Sequence, residues 1–171
     1  MNVFVPLVLL FVTTACVSTR FTSNTDFQSL RQFSKILVVS KLPKTSPEYL
    51  GTYTRAFPSK YAVCVIDAGD LSFGNPDSTI ARKARECGSE VILTLTPSRQ
   101  FTSGDGKNIQ SMNEVFLEMA TFPGNQSFWK AIATRSTSSY TIPARRVVKQ
   151  LANDFLIEGK IPPTTHQAAR Q

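Results

Sequence analysis

The segment Lys35–Leu42, which reads KILVVSKL, decides the fold. Its centre, Ile36–Val39, is apolar on both faces and rich in β-branched residues, a pattern typical of strands buried on both faces in parallel sheets. Two further strands are predicted: Tyr61–Asp67 (YAVCVID), and Glu90–Phe101, in which Glu90 is followed by the buried pattern VILTL. The sequence therefore predicts three strands in this part of the chain.

A helix is predicted between each pair of these strands. The first begins at Ser46-Pro47-Glu48, where serine suits the N-cap, proline the first turn and glutamate the positive helix end. Gly88 suits the end of the second, because helices often end on a left-handed residue. The apolar stripe of that second helix is Ile80, Ala81, Ala84 and Cys87.

Two more strands and a helix complete the predicted domain. Glu114–Phe122 and Ser127–Thr137 are joined by Pro123-Gly124-Asn125, a hairpin signal. This loop does not fix the hairpin register, so the face taken by Trp129 stays open. The last helix is expected from Pro143 to Gly159. The order β-α-β-α-β-β-β-α predicts an α/β (α+β) fold with one mixed sheet and helices packed on it.

The first residues have the character of an export signal. Residues 3–12 are apolar, and no Lys, Arg, Asp or Glu occurs within residues 1–15. The run is about half of the ~20 residues that a membrane-spanning helix needs, so it fits the apolar part of a signal peptide. The alternative is a buried first element of the domain with an incidental cysteine at Cys16.

The triplet Thr14-Ala15-Cys16 resembles the lipobox of bacterial lipoproteins, although Thr13 stands where that family usually has leucine. The resemblance implies cleavage before Cys16, attachment of fatty acids such as palmitate to that cysteine, and a membrane anchor. Val17, rather than aspartate, implies passage to the outer membrane of a Gram-negative cell, facing the periplasm. We therefore expect a signal peptide at 1–15, a lipidated cysteine and polar tether at 16–34, one domain at 35–160 and a flexible tail at 161–171.

The domain itself is also similar to a broad group of small bacterial α/β lipoproteins. The similarity covers most of the mature chain, and its motifs are structural rather than catalytic. They are Lys35–Val39, Gly88–Leu93, Phe128–Ala131 and Pro143–Gly159. More remotely, the layout is similar to small periplasmic α/β domains of envelope-assembly lipoproteins, which implies a protein that acts by binding partners.

The formal net charge of +7 raises the question of nucleic-acid binding. The basic residues are scattered, and the dense runs, Arg82-Lys83-x-Arg85 and Arg145-Arg146-x-x-Lys149, fall on helical patterns. No aromatic residues that could stack on bases accompany these runs. A solvated helix face is therefore favoured, and no nucleic-acid partner is expected.

Candidate catalytic residues are few. His166 is the only histidine and falls in the expected tail, which argues against a catalytic triad or a metal site. Asp67, Asp70 and Asp77 crowd the loop after the second strand, where ligands of open α/β sheets bind. They could serve a small hydrolase or lyase, or bind a cation; the favoured interpretation is local turn and helix-start roles. No cofactor and no metal are expected.

The leading hypothesis is a non-enzymatic, membrane-anchored lipoprotein that binds or scaffolds another envelope component. The alternatives are a periplasmic hydrolase or lyase that uses the carboxylate loop, and a surface-exposed adhesin. If Cys16 carries lipid, Cys64 and Cys87 remain, and an oxidising periplasm favours their pairing. A strand and the helix after it pack face to face, so these two cysteines could meet. The competing interpretation is two separate buried thiols.

Overall fold

One mixed sheet of six strands organises the described part of the chain. The computed structural model describes residues 18–26, 32–69, 75–104, 109–137, 139–154 and 156. The strand order is β1-β6-β5-β4-β2-β3. The predicted fold class, a mixed sheet with packed helices, is confirmed. The elements are β1 (Thr19–Thr25), β2 (Lys35–Ser40), α1 (Pro47–Ala56), β3 (Ala62–Asp67), α2 (Pro76–Glu86), β4 (Val91–Ser103), β5 (Gln110–Thr121), β6 (Ser127–Ser136) and α3 (Ala144–Asn153).

The two β-α-β crossovers place helices on opposite faces of the sheet. Strand β2 lies between β3 and β4 and runs parallel to both, as predicted from their apolar character. The crossover through α1 leads from β2 outward to β3, and the crossover through α2 leads back past β2 to β4. Because such crossovers are nearly always right-handed, opposite directions of travel put α1 and α2 on opposite faces. Tyr53 of α1 and Ala84 of α2 accordingly belong to separate cores.

The larger core lies on the face covered by α1 and α3. Helix α3 buries Val147 and Leu151 there, and α1 buries Tyr53. The alternation of β4 and β5 turns Leu93 and Leu117 toward these helices, and both are fully buried. The antiparallel pairs β4–β5, β5–β6 and β6–β1 extend the sheet away from the parallel strands.

The N-terminal range 16–34, expected to be a polar tether, contains an edge strand. Thr19–Thr25 (TRFTSNT) pairs antiparallel with β6. An edge strand needs few apolar residues, and Phe21 is the one large apolar residue that β1 packs against the core. Hydrophobic alternation was therefore too weak to reveal β1. The expected lipidation site, Cys16, lies outside the described residues.

Helix α3 is shorter than expected. It ends at Asn153, whereas the sequence predicted a helix to Gly159 with Phe155 on its face. At this end the Asp154 carboxylate accepts the indole N–H of buried Trp129 at 2.7 Å. The Leu156 amide then closes the turn on Leu151 O at 2.9 Å. The side chain of Phe155 and the predicted tail, 161–171, lie outside the described residues.

None of the helices in the described ranges has the length and apolar composition that crossing a bilayer requires.

Candidate functional site

The carboxylates singled out from the sequence have local roles where the structure describes them. Asp67 ends β3, and its Oδ1 accepts the Gly69 amide at 3.1 Å, which forms the turn after the strand. Asp77 lies in the first turn of α2, is 86% exposed, and is 3.9 Å from Lys41 Nζ. Asp70 lies outside the described residues. Within the described ranges, no group of three or more His, Cys, Asp or Glu residues could hold a metal ion.

Two glutamates of β5 pair with cations on the neighbouring strands. Glu114 accepts from Arg99 Nη2 of β4 at 3.1 Å, and its other oxygen accepts from Arg99 Nε. These hydrogen bonds lower the pKa of Glu114 below its ordinary value. Glu118 lies 3.5 Å from Lys130 Nζ of β6. These pairs stabilise the sheet, and each carboxylate is already engaged.

Cys64 and Cys87 form a disulfide in the structure, with Cα atoms 6.4 Å apart. Cys64 lies in β3, and Cys87 is the C-cap of α2. The helix ends there because Gly88 takes a φ of +58°, a backbone conformation that glycine adopts without steric cost. The disulfide thus joins the end of α2 to the edge strand beneath it.

One hollow of about 580 Å³ lies beside the β5–β6 turn. It is lined by aromatic residues that include Phe33, Phe122 and Phe128, with Glu90 at its side. Glu90 accepts the backbone N–H groups of Ser34 and Lys35, which lowers its pKa. This carboxylate therefore fixes the entry into β2 and is not free for a ligand.

A second hollow, of about 450 Å³, has several positively charged residues in its wall. It lies between α1, the end of β6 and the start of α3, and three arginines contribute to its wall: Arg55, Arg135 and Arg145. We call it the arginine pocket. Its other lining residues are Tyr49, Thr52, Ala56, Thr141, Pro143 and Ala144.

Tyr49, which lines the arginine pocket, links helix α1 to the segment before α3. Its hydroxyl donates to Ile142 O at 2.9 Å and accepts the Ile142 amide at 3.1 Å, which holds the segment before α3 against α1. The Tyr53 hydroxyl lies 3.1 Å away and completes the cluster. Burial raises the pKa of both tyrosines above the ordinary value, so both hydroxyls remain neutral. Ser46 positions Tyr49 by capping α1 through its side chain, as the sequence predicted.

Within the described ranges, no carboxylate forms an ion pair with an arginine of the pocket. Arg135 is partly buried, and its Nη1 donates to Thr141 O at 2.6 Å. Its Nε atom is buried without a hydrogen-bond partner in the described structure. Arg55 and Arg145 are exposed. The ion pairs found within the described ranges use other cations: Lys41, Lys83, Arg99 and Lys130.

The start of α3 adds to the positive potential. Pro143 is the N-cap and has no side-chain acceptor for the first-turn amides, and the first turn contains no acidic residue. By contrast, α1 and α2 have Glu48 and Asp77 in their first turns. Unpaired amides and the helix dipole make such a start attractive to anions.

The sequence interpretation missed the arginine pocket. Arg145 was assigned to a solvated helix face, and Arg55 and Arg135 were not singled out. One signal was present in the sequence: two consecutive arginines, Arg145-Arg146, open a helix where acidic residues are favoured. That Arg55 and Arg135 join Arg145 follows only from tertiary packing.

No family model and no curated protein matches the chain. The chain is similar to several solved structures at low sequence identity. The PelC dodecamer from Paraburkholderia phytofirmans is 14% identical, with a TM-score of 0.47 over 79% of this chain and 96% of that one. Lipoprotein GNA1162 from Neisseria meningitidis is 16% identical, with a TM-score of 0.38 over 71% and 97%. TolB from Acinetobacter baumannii is 10% identical, with a TM-score of 0.41 over 82% and 31%. Likenesses at this level do not indicate a function.

Proposed function

We propose that this chain is a bacterial envelope lipoprotein that acts by binding another envelope component rather than by catalysis. Residues 1–15 direct its export, and lipid on Cys16 anchors it to the outer membrane, with the domain facing the periplasm. The proposal is carried by the Cys64–Cys87 disulfide together with the leader sequence.

The disulfide supports export because structural disulfides persist in oxidising compartments and are rare in the cytosol. Here the disulfide secures a weakly packed element. Helix α2 buries only Ala84, whereas α3 buries four residues. An element with so little buried surface gains most from a covalent link, and an oxidising compartment preserves that link.

Binding rather than catalysis is supported by the chemistry of the arginine pocket. Arginine keeps its positive charge throughout the physiological range, so it holds anions well but does not transfer protons. The tyrosines beside it have a raised pKa and hold backbone. Asp67 and Asp77 have local roles, so neither supports the carboxylate-loop hydrolase.

The anchor is tested by expressing the full chain in a Gram-negative host with radioactive fatty acid. We expect labelled protein in the membrane fraction, and Cys16→Ala should lose the label and leave the outer membrane. The matched control is the double variant C64S/C87S, which removes the other two cysteines and should keep the label. Equal labelling of wild type and Cys16→Ala would contradict the proposed anchor.

A further inference from the structure

We infer that the arginine pocket binds the phosphate group of a phosphate ester. This inference goes beyond the proposed function and does not depend on it, because it rests on the charge, geometry and size of the pocket alone.

The positive charge of the pocket favours the binding of an anion. Three arginines from separate elements line one hollow, and no ion pair among the described residues involves them. The uncapped start of α3 adds a partial positive charge of about half a unit. Like charges repel, so gathering them without a counter-charge is unfavourable unless an anion binds between them.

The arrangement of donors favours phosphate over carboxylate. Arg55 approaches from α1, Arg135 from the end of β6, and Arg145 from α3. A guanidinium bonds phosphate oxygens in pairs, and helix-start amides bind the same group. A tetrahedral phosphate presents oxygens in several directions and carries up to two charges, whereas a planar carboxylate presents two oxygens and one charge.

Part of the pocket wall is held in place, and the pocket is large enough for a small molecule. Arg135 is held by Thr141 O and Tyr49 holds Ile142, so this part of the wall needs little reordering when a ligand binds. The volume of about 450 Å³ falls within the range of small-molecule sites, roughly 300–1,000 Å³. Space therefore remains for the group that the phosphate is attached to.

Calorimetric titration of the detergent-solubilised full chain tests the inference. The probes are inorganic phosphate, glycerol 3-phosphate and dihexanoyl phosphatidylglycerol below its micelle concentration, with citrate and sodium chloride at matched ionic strength. We expect one site for a phosphate ester and weaker binding of citrate. Binding of glycerol 3-phosphate would identify a soluble ester as the ligand, and binding of the lipid alone would identify a lipid headgroup.

Substitutions of single arginines test whether the phosphate ester binds in the arginine pocket. Arg55→Gln and Arg145→Gln change exposed side chains and should each weaken binding about tenfold or more, as for loss of a charge-assisted hydrogen bond. The matched control is Arg146→Gln, an exposed neighbour outside the pocket, which should bind as wild type does. Absence of binding by all three phosphate probes, equal affinity for citrate, or equal weakening by Arg146→Gln would overturn the inference.

Discussion

Reduction of the Cys64–Cys87 disulfide should destabilise the domain by an amount that the structure allows us to estimate. The two cysteines are 23 residues apart, and closing a loop of this size restricts the unfolded chain by about 3 kcal/mol on the chain-entropy model. With a urea dependence of about 1–3 kcal/mol per molar, the unfolding midpoint should fall by roughly 1–3 M. After reduction, helix α2 should unfold first, because Ala84 is the one residue that this helix buries.

The assay uses Trp129, the single tryptophan, which is 1% exposed and therefore changes its fluorescence on unfolding. Urea titrations of the oxidised and reduced wild type give the difference directly. The variant C64A/C87A controls for other effects of the reductant. Its urea unfolding midpoint should be the same in the presence and in the absence of reductant. Equal midpoints for the oxidised and reduced wild type, or two alkylated thiols in protein purified without reductant, would refute the reasoning.

Two further predictions concern single side chains. Tyr49→Phe removes both hydrogen bonds to Ile142 and should lower the unfolding free energy by about 1–3 kcal/mol in urea titrations. The control is Tyr140→Phe, which should cost less because the Tyr140 hydroxyl makes no hydrogen bond within the described residues. Equal losses would contradict the role of the Tyr49 hydroxyl. Glu90 has a lowered pKa in the folded state, so its contribution to stability is present above the ordinary value of 4.5 and is lost as the pH falls through the folded value. Glu90→Gln should flatten this acid dependence of the urea midpoint, and an unchanged acid dependence would show that its hydrogen bonds to the start of β2 do not matter.

Local patterns in the sequence were enough to predict most of the fold. The apolar run around Val38, the N-cap at Ser46 and the helix end at Gly88 each depend on neighbours in the chain, and all three lie where expected. The β1 strand was not predicted, because its pairing with β6 is non-local and its sequence contains few apolar residues. The end of α3 was predicted too late, because neither glycine nor proline occurs between Asn153, where the helix ends, and Gly159.

The candidate site was largely hidden from sequence analysis for the same reason. Asp67 and Asp77 stood out because they cluster along the chain, yet the structure gives them separate local bonds. Arg55, Arg135 and Arg145 are far apart in the chain and meet only when α1, β6 and α3 pack. Sequence distance is therefore a poor guide to which charges share a surface in this fold.

The central claim, an exported lipid-anchored domain with an internal disulfide, is tested most directly by the intact mass of the protein. The full chain is expressed in a Gram-negative host and extracted from the outer membrane without reductant. The account predicts a chain that begins at Cys16, carries the mass of attached fatty acids, and is two hydrogens lighter than the dithiol because Cys64 and Cys87 are joined. A chain that retains residues 1–15, or one that begins at Cys16 without fatty acid, would contradict it.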